Sequence, residues 1–124
     1  MPFRDLHVAF AWFVLVGNGV AGGWALAAHR FAAFRTSWLW RLTAFAQVSV
    51  AVQVALGVAT LRLDGVEVPR IHMFYGFVAL ASVAIIYSYR QQLEPWRYLL
   101  YGYGGLFLMG LGVRAFFLVD SPVP

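Results

Sequence analysis

Three histidines are the residues of this sequence best suited to chemistry, and two of them stand where long apolar segments begin. His7 opens the first such segment and His72 opens the third, whereas His29 closes the first. Neutral imidazole is a strong iron ligand, and helical bundles build such sites from side chains on facing helices. The pair therefore predicts a shared metal site at one depth, with haem b as the cofactor. The competing interpretation is that each histidine is only a polar residue at a helix end.

Arginines near the same depth could bind the carboxylates of such a cofactor. Arg62 follows the second apolar segment, Arg70 precedes His72, and Arg114 lies about one turn from the end of the last segment. A guanidinium pairs with a carboxylate through two hydrogen bonds, so haem propionates are suitable partners. For Arg114 the alternative is that it reaches lipid headgroups or pairs with Asp5 or Asp120.

The composition indicates which kind of secondary structure must position these residues. The chain has 124 residues, of which 62% are hydrophobic and 11% charged. A soluble domain is nearer half apolar and a quarter charged, and here the apolar residues fall in long blocks. This pattern is typical of membrane spans, so the lipid bilayer is the expected partner. The nine positive charges lie mostly between the blocks, which favours membrane orientation over nucleic-acid binding. The absence of cysteine excludes disulfides and thiolate chemistry.

Four blocks of about 20 residues are each long enough to cross a hydrocarbon core of about 30 Å as a helix. Short connections join them, so consecutive spans must alternate in direction. The sequence therefore predicts an all-α fold, an integral membrane four-helix up-down-up-down bundle in one domain covering residues 1–124. The predicted spans are about 7–28, 39–61, 70–89 and 98–119.

Arginine placement predicts the orientation. One side of the predicted bundle carries five arginines and the other carries four, of which Arg114 lies within a span. The positive-inside rule places the richer side in the cytoplasm. We therefore expect a multi-pass protein of the cell (inner) membrane with both termini on the outer face. The cytoplasmic set is Arg30, Arg35, Arg41, Arg90 and Arg97.

Small and polar residues inside the spans predict contacts between helices. Gly19 and Gly23 have the GxxxG spacing that lets two helices approach closely in lipid. Asn18, Gln47 and Gln53 are expected to form hydrogen bonds between helices. A role for these amides at a quinone headgroup is the weaker alternative, and it would make the chain a quinone-reactive membrane anchor subunit.

The segment around His72 resembles the haem A synthases, which share a four-helix half-unit with paired haem-ligating histidines. In that family a span ends in a Gln-x-x-Leu-Gly-x-x-Thr pattern, a short outer connection follows, and a histidine opens the next span. An earlier histidine opens the preceding span, a place that His7 takes here. The similarity covers about residues 5–90, and its pattern residues are Gln53, Leu56, Gly57, Thr60 and His72.

The resemblance implies haem binding, whereas departures from the family leave open whether any reaction is catalysed. The chain has four predicted spans where the full family has eight, and it lacks the cysteine pair of many members. Val8 replaces the arginine that follows the first histidine, and the acid three residues before it is missing. The expectation is a small haem protein acting in electron transfer or in support of a respiratory oxidase. The alternative is a haem-free accessory or assembly subunit of a larger membrane complex.

Overall fold

The structure, a computed structural model, describes residues 2–119 and is helical in nearly all of that range, with no strand. This confirms the all-α class. Asp120, considered above as a partner of Arg114, lies outside the described residues. The four long helices are α1 (Pro2–Arg30), α2 (Ser37–Leu63), α3 (Arg70–Ser88) and α4 (Arg97–Leu118), and two short 3-10 turns cover Ala32–Phe34 and Glu94–Trp96.

All four helices are long and apolar enough to cross a membrane. Large apolar side chains remain exposed along them, including Phe45 at 69% and Phe77 at 69%. A chain that leaves so much apolar surface uncovered needs an apolar solvent around it. The protein is therefore a multi-pass membrane protein whose helices contact a lipid bilayer.

The connection between α2 and α3 brings His72 to the start of its helix. Gly65 has a φ of +67°, in the left-handed region that favours glycine, so the chain can turn just after α2 ends. Pro69 is fully buried and lies at the N-cap of α3 with extended backbone. Its carbonyl accepts the His72 backbone N–H at 3.1 Å. The turn therefore fixes where α3 starts and holds His72 in its first turn.

Helix α1 is at the centre of the packing. It makes its most extensive contacts with α4 and α2, and α3 packs mainly on α4. Contacts between α2 and α3 are slight. Residue order runs in opposite directions across the α1–α2 pair: His7 meets Gln53 near one end, and Asn18 meets Ala46 further along.

Glycines allow α1 and α4 to approach closely, as expected of small residues in the spans, but Gly23 takes no part in this contact. A Cβ on Gly22 would lie 2.8 Å from the Gly102 carbonyl oxygen, and one on Gly105 would lie 2.9 Å from the Gly22 Cα. Gly19 packs on the Met109 side chain, whereas a Cβ on Gly23 would meet nothing within 4 Å. The predicted Gly19–Gly23 pair is therefore wrong for Gly23, because the helix turns that residue away from α4.

The buried amides join α1 to α2 in two of the three predicted cases. Asn18 is 1% exposed, and its Nδ2 donates to the carbonyls of Val14 at 2.9 Å and Ala46 at 3.2 Å. Gln53 also bonds across this pair of helices, as described below. Gln47 is buried, but its Nε2 finds no hydrogen-bond partner within residues 2–119.

Candidate functional site

His7 and His72 meet between α1 and α3. Their ring centroids are 6.2 Å apart, and the ring planes are inclined at 82°. Both side chains are partly buried. The structure thus brings together the two histidines that the sequence places at one depth.

His7 is held against α2 by two hydrogen bonds to one residue. Its Nδ1 lies 3.1 Å from the Gln53 backbone oxygen, and Gln53 Nε2 donates to the His7 backbone oxygen at 2.8 Å. The ring also lies directly over Gly57, where a Cβ would be only 3.0 Å from the His7 Cε1. Any larger residue at that position would press on the imidazole, so the glycine sets how closely the ring approaches α2.

His72 is held by α4. Its Nδ1 lies 2.7 Å from the backbone oxygen of Ala115, one residue beyond Arg114. The two rings therefore depend on all four helices: α1 and α3 carry them, while α2 and α4 orient them.

These partners define which tautomer each ring adopts when it is neutral. A carbonyl oxygen only accepts hydrogen bonds, so each Nδ1 must be the donor and carry the proton. In a neutral imidazole the other nitrogen, Nε2, then holds the free lone pair. A hydrogen bond from the second ring nitrogen to a carbonyl fixes ring orientation and raises ligand basicity in known metal sites. When neutral, each histidine therefore presents the lone pair of Nε2, the atom through which a metal ion would bind.

The start of α1 is anchored near this pair. Asp64 Oδ2 accepts a hydrogen bond from the Arg4 backbone N–H at 3.0 Å. The first N–H groups of a helix have no partner within the helix, and a carboxylate there also interacts favourably with the helix dipole. Asp64 therefore joins the end of α2 to the start of α1, at Arg4, which lies three residues before His7.

The three predicted propionate partners lie in the same end of the molecule, and all are exposed. Arg70 begins α3, Arg62 lies in the last turn of α2, and Arg114 lies in the last turns of α4. Within the described range none of the three forms an ion pair, so Arg114 does not pair with Asp5. Their charges remain available to an anion, although none of their side chains contacts a histidine ring at hydrogen-bonding distance.

His29 is separate from this site. It lies in the last turn of α1, close to Arg30, at the end of the bundle away from His7. Its backbone oxygen accepts a hydrogen bond from Arg35. It therefore provides a histidine of the same chain against which the other two can be compared.

The distance between the two ring centroids is similar to that of two imidazoles bound to one metal ion, and the rings here lie edge to face. A metal–imidazole nitrogen bond is about 2 Å, and the ring centre lies about 1 Å further on, so two opposed imidazoles place their centroids about 6 Å apart. The observed 6.2 Å agrees with that value. Haem iron takes one or two ligands from the protein, and histidine is a common one. Two neutral imidazoles are ligands of the kind that haem iron accepts.

The surroundings offer space on the α3 side. Gly76 lies one turn after His72 on the same face of the helix, and a Cβ there would meet nothing within 4 Å. The slight contact between α2 and α3 leaves that side of the bundle loosely packed. Gln53 Oε1 is a buried acceptor with no partner among the described residues. A buried, unpaired polar atom on the residue that binds His7 is a feature found at ligand sites.

Comparison with known protein families, with curated proteins and with solved structures gave no match. The functional argument therefore rests on the residues and their geometry.

Three contributors to the site were not predicted from the sequence as such. The carbonyls of Gln53 and Ala115 orient the rings, and backbone acceptors leave no signal in residue types. Asp64, in the connection after α2, caps α1. The available signal was an acid that closely follows the second predicted span, at the same membrane depth as the segment that contains Arg4.

Proposed function

We propose that this protein is a small membrane haem protein in which His7 and His72 are the two axial ligands. The observation that supports the proposal is the pair of imidazoles, 6.2 Å apart, each with its Nδ1 against a backbone carbonyl. Two residues placed only as polar helix ends would not need matching partners on two further helices. The proposal includes haem b, since the chain has no cysteine for covalent attachment.

Electron transfer is the activity that this ligand set favours. A haem with two histidine ligands supplies an iron that is reduced and oxidised by one electron without an open position for substrate. The chain's own residues hold the rings at fixed orientation through the carbonyls of Gln53 and Ala115. Arg62, Arg70 and Arg114 surround the same end with positive charge, which would pair with propionates.

The proposed setting is the cell (inner) membrane, with an up-down-up-down topology and both termini on the outer face. The arginine distribution supports this orientation, because five of nine lie at the end opposite the histidine pair. The resemblance to haem A synthases supports a respiratory role, in electron transfer to other membrane subunits or in support of an oxidase. The site would then face the outer side.

The test is the colour of the purified protein. We expect protein extracted in mild detergent from haem-replete cells to give a reduced-minus-oxidised spectrum with the Soret and α bands of a b-type haem. His7→Ala and His72→Ala should each lose the low-spin bands, because each removes one axial ligand. His29→Ala is the matched control and should keep them.

A colourless but folded preparation would contradict the proposal. So would a spectrum that survives both substitutions. Recovery of a colourless chain only together with other membrane proteins would instead support the accessory-subunit alternative.

A further inference from the structure

The end of the bundle opposite the histidine pair has two connections that meet. The connection between α1 and α2 contributes Arg35, and the start of α4 contributes Arg97. The guanidinium carbons of these residues lie 5.3 Å and 4.8 Å from the centre of the Tyr98 ring. Two cations from different connections therefore share one aromatic ring.

Most of the positive charge here has no acidic partner. In the part of the chain that the structure describes, the ion pair at this end joins Arg97 to Glu94 at 2.8 Å. Arg35 donates to the carbonyls of Ala28 at 2.6 Å and His29 at 3.0 Å. Those bonds fix its position without neutralising it, because a carbonyl is uncharged. A fixed cluster of cations at a membrane interface attracts anions.

An apolar groove opens beside this cluster. It lies between α3 and α4 and has a volume of about 1020 Å³. Leu93 and Trp96 line its end nearest the connection, in the same short stretch that contains Arg90 and Arg97. Arg90 lies over the Tyr87 ring at 3.7 Å and donates to the Tyr87 carbonyl, so it too is fixed without an acidic partner. Apolar space and fixed positive charge thus meet at one place.

We propose that this surface is a binding site for an anionic phospholipid. One acyl chain occupies the groove between α3 and α4, and the phosphate lies among Arg90, Arg97 and Arg35. A zwitterionic lipid would fill the groove equally well but would gain less from the cations. Selectivity for net negative charge is therefore the signature of the site, and it does not depend on haem at the other end of the molecule.

The first test measures which lipids stay bound. The full chain is purified from mixed phosphatidylglycerol and phosphatidylcholine vesicles, and retained lipid is counted by native mass spectrometry. We expect preferential retention of phosphatidylglycerol. Removing one arginine near an anionic headgroup should weaken the preference about five-fold, so R90Q with R97Q should abolish most of it. The control is R4Q, at the opposite end and without a role in the proposed haem site, which should leave the preference unchanged.

The second test addresses the groove. Ser82 lines it, and the Ser82 hydroxyl bonds to the Val78 carbonyl of its own helix, so Ser82→Phe fills space without breaking a contact between helices. We expect this variant to lose phosphatidylglycerol with every arginine intact. In the unmodified chain, brominated phosphatidylglycerol should quench Trp96 fluorescence more than brominated phosphatidylcholine, with Trp96→Phe showing which signal is lost.

Three results would overturn the proposal. Equal retention or equal quenching by the two lipids would remove the selectivity. A similar loss of phosphatidylglycerol preference in R4Q and in the R90Q and R97Q variant would show a general effect of charge. Full competition by inorganic phosphate would show a site for the headgroup anion alone, without a role for the groove.

Discussion

Gln53 and His7 are joined by two hydrogen bonds that run in opposite directions between α1 and α2. The His7 Nδ1 donates to the Gln53 backbone oxygen, and the Gln53 side chain donates to the His7 backbone oxygen. One of these bonds orients the imidazole, and the other fixes the height of α1 along α2. Because only the second bond uses the Gln53 side chain, a substitution of Gln53 separates the two effects.

Gln53→Leu should loosen the site without removing a ligand. The carbonyl bond to the ring remains, while the bond that aligns the helices is lost, at a cost of about 1 kcal/mol. Changes to groups that support a ligand typically lower metal affinity 10- to 100-fold, and we expect about 10-fold weaker haem binding here. Haem titration of the stripped protein measures this. Gln92→Leu, in an exposed connection, is the control, and an equal effect there would refute the positioning role.

His7→Met should change the redox potential while keeping haem. A methionine–histidine pair raises the potential relative to two histidines, because the thioether favours the reduced iron. Axial ligands tune haem potentials over roughly 0.8 V, and we expect an upward shift on the order of 0.1 V. Potentiometric titration of the α band gives the value. An unchanged potential would mean that His7 does not ligate the iron, and His29→Met should behave as the unmodified chain does.

Gly57→Ala and Gly76→Ala should differ although both add one methyl group. At Gly57 the new Cβ would lie 3.0 Å from the His7 ring, whereas at Gly76 it would meet nothing within 4 Å. Crowding of this kind costs about 1–3 kcal/mol, and here it should tilt the ring. The low-spin ferric signal in electron paramagnetic resonance reports the angle between axial imidazoles, and inclined rings give a strongly anisotropic signal. We expect Gly57→Ala to alter that signal and Gly76→Ala to preserve it. The reverse result would show that the site does not lie where His7 meets Gly57.

Neighbouring glycines of α1 test the packing independently of any cofactor. Gly22→Ala would push a methyl group against the backbone of α4, 2.8 Å from the Gly102 oxygen, whereas Gly23→Ala faces open space. We expect the first to destabilise the fold by about 1–3 kcal/mol and the second to change stability little. Thermal unfolding in detergent compares the two variants. Equal stabilities would show that α1 and α4 do not pack through Gly22.

The proposed topology can be mapped by labelling, since the chain has no native cysteine. Gly65→Cys lies in the connection after α2, and Gln91→Cys lies in the connection after α3. A membrane-impermeant maleimide should modify Gly65→Cys from the outer side and Gln91→Cys only after the membrane is opened. Modification of both from one side would contradict the proposed alternation.

The sequence predicts the helices well because long apolar blocks have few other structures available in lipid. The ends are less well predicted: α1 starts at Pro2, where 7–28 was expected, since a helix can continue past the hydrocarbon core into the interface. That His7 and His72 lie close together was predictable, because both begin a span at the same membrane depth. The glycine contacts were not, because GxxxG spacing states which residues share a face and leaves open which helix that face meets.

Helix α3 contributes His72 yet has little buried surface of its own, with Ile86 as its buried residue, and it touches α2 only slightly. A bond from one iron to His7 and His72 would therefore act as a cross-link between α1, at the centre of the packing, and α3, the long helix with the fewest contacts. Because the Ala115 carbonyl on α4 orients His72, the proposed site is complete only when α4 has packed with the other helices. Without that cross-link, α3 would be held mainly by its contacts with α4.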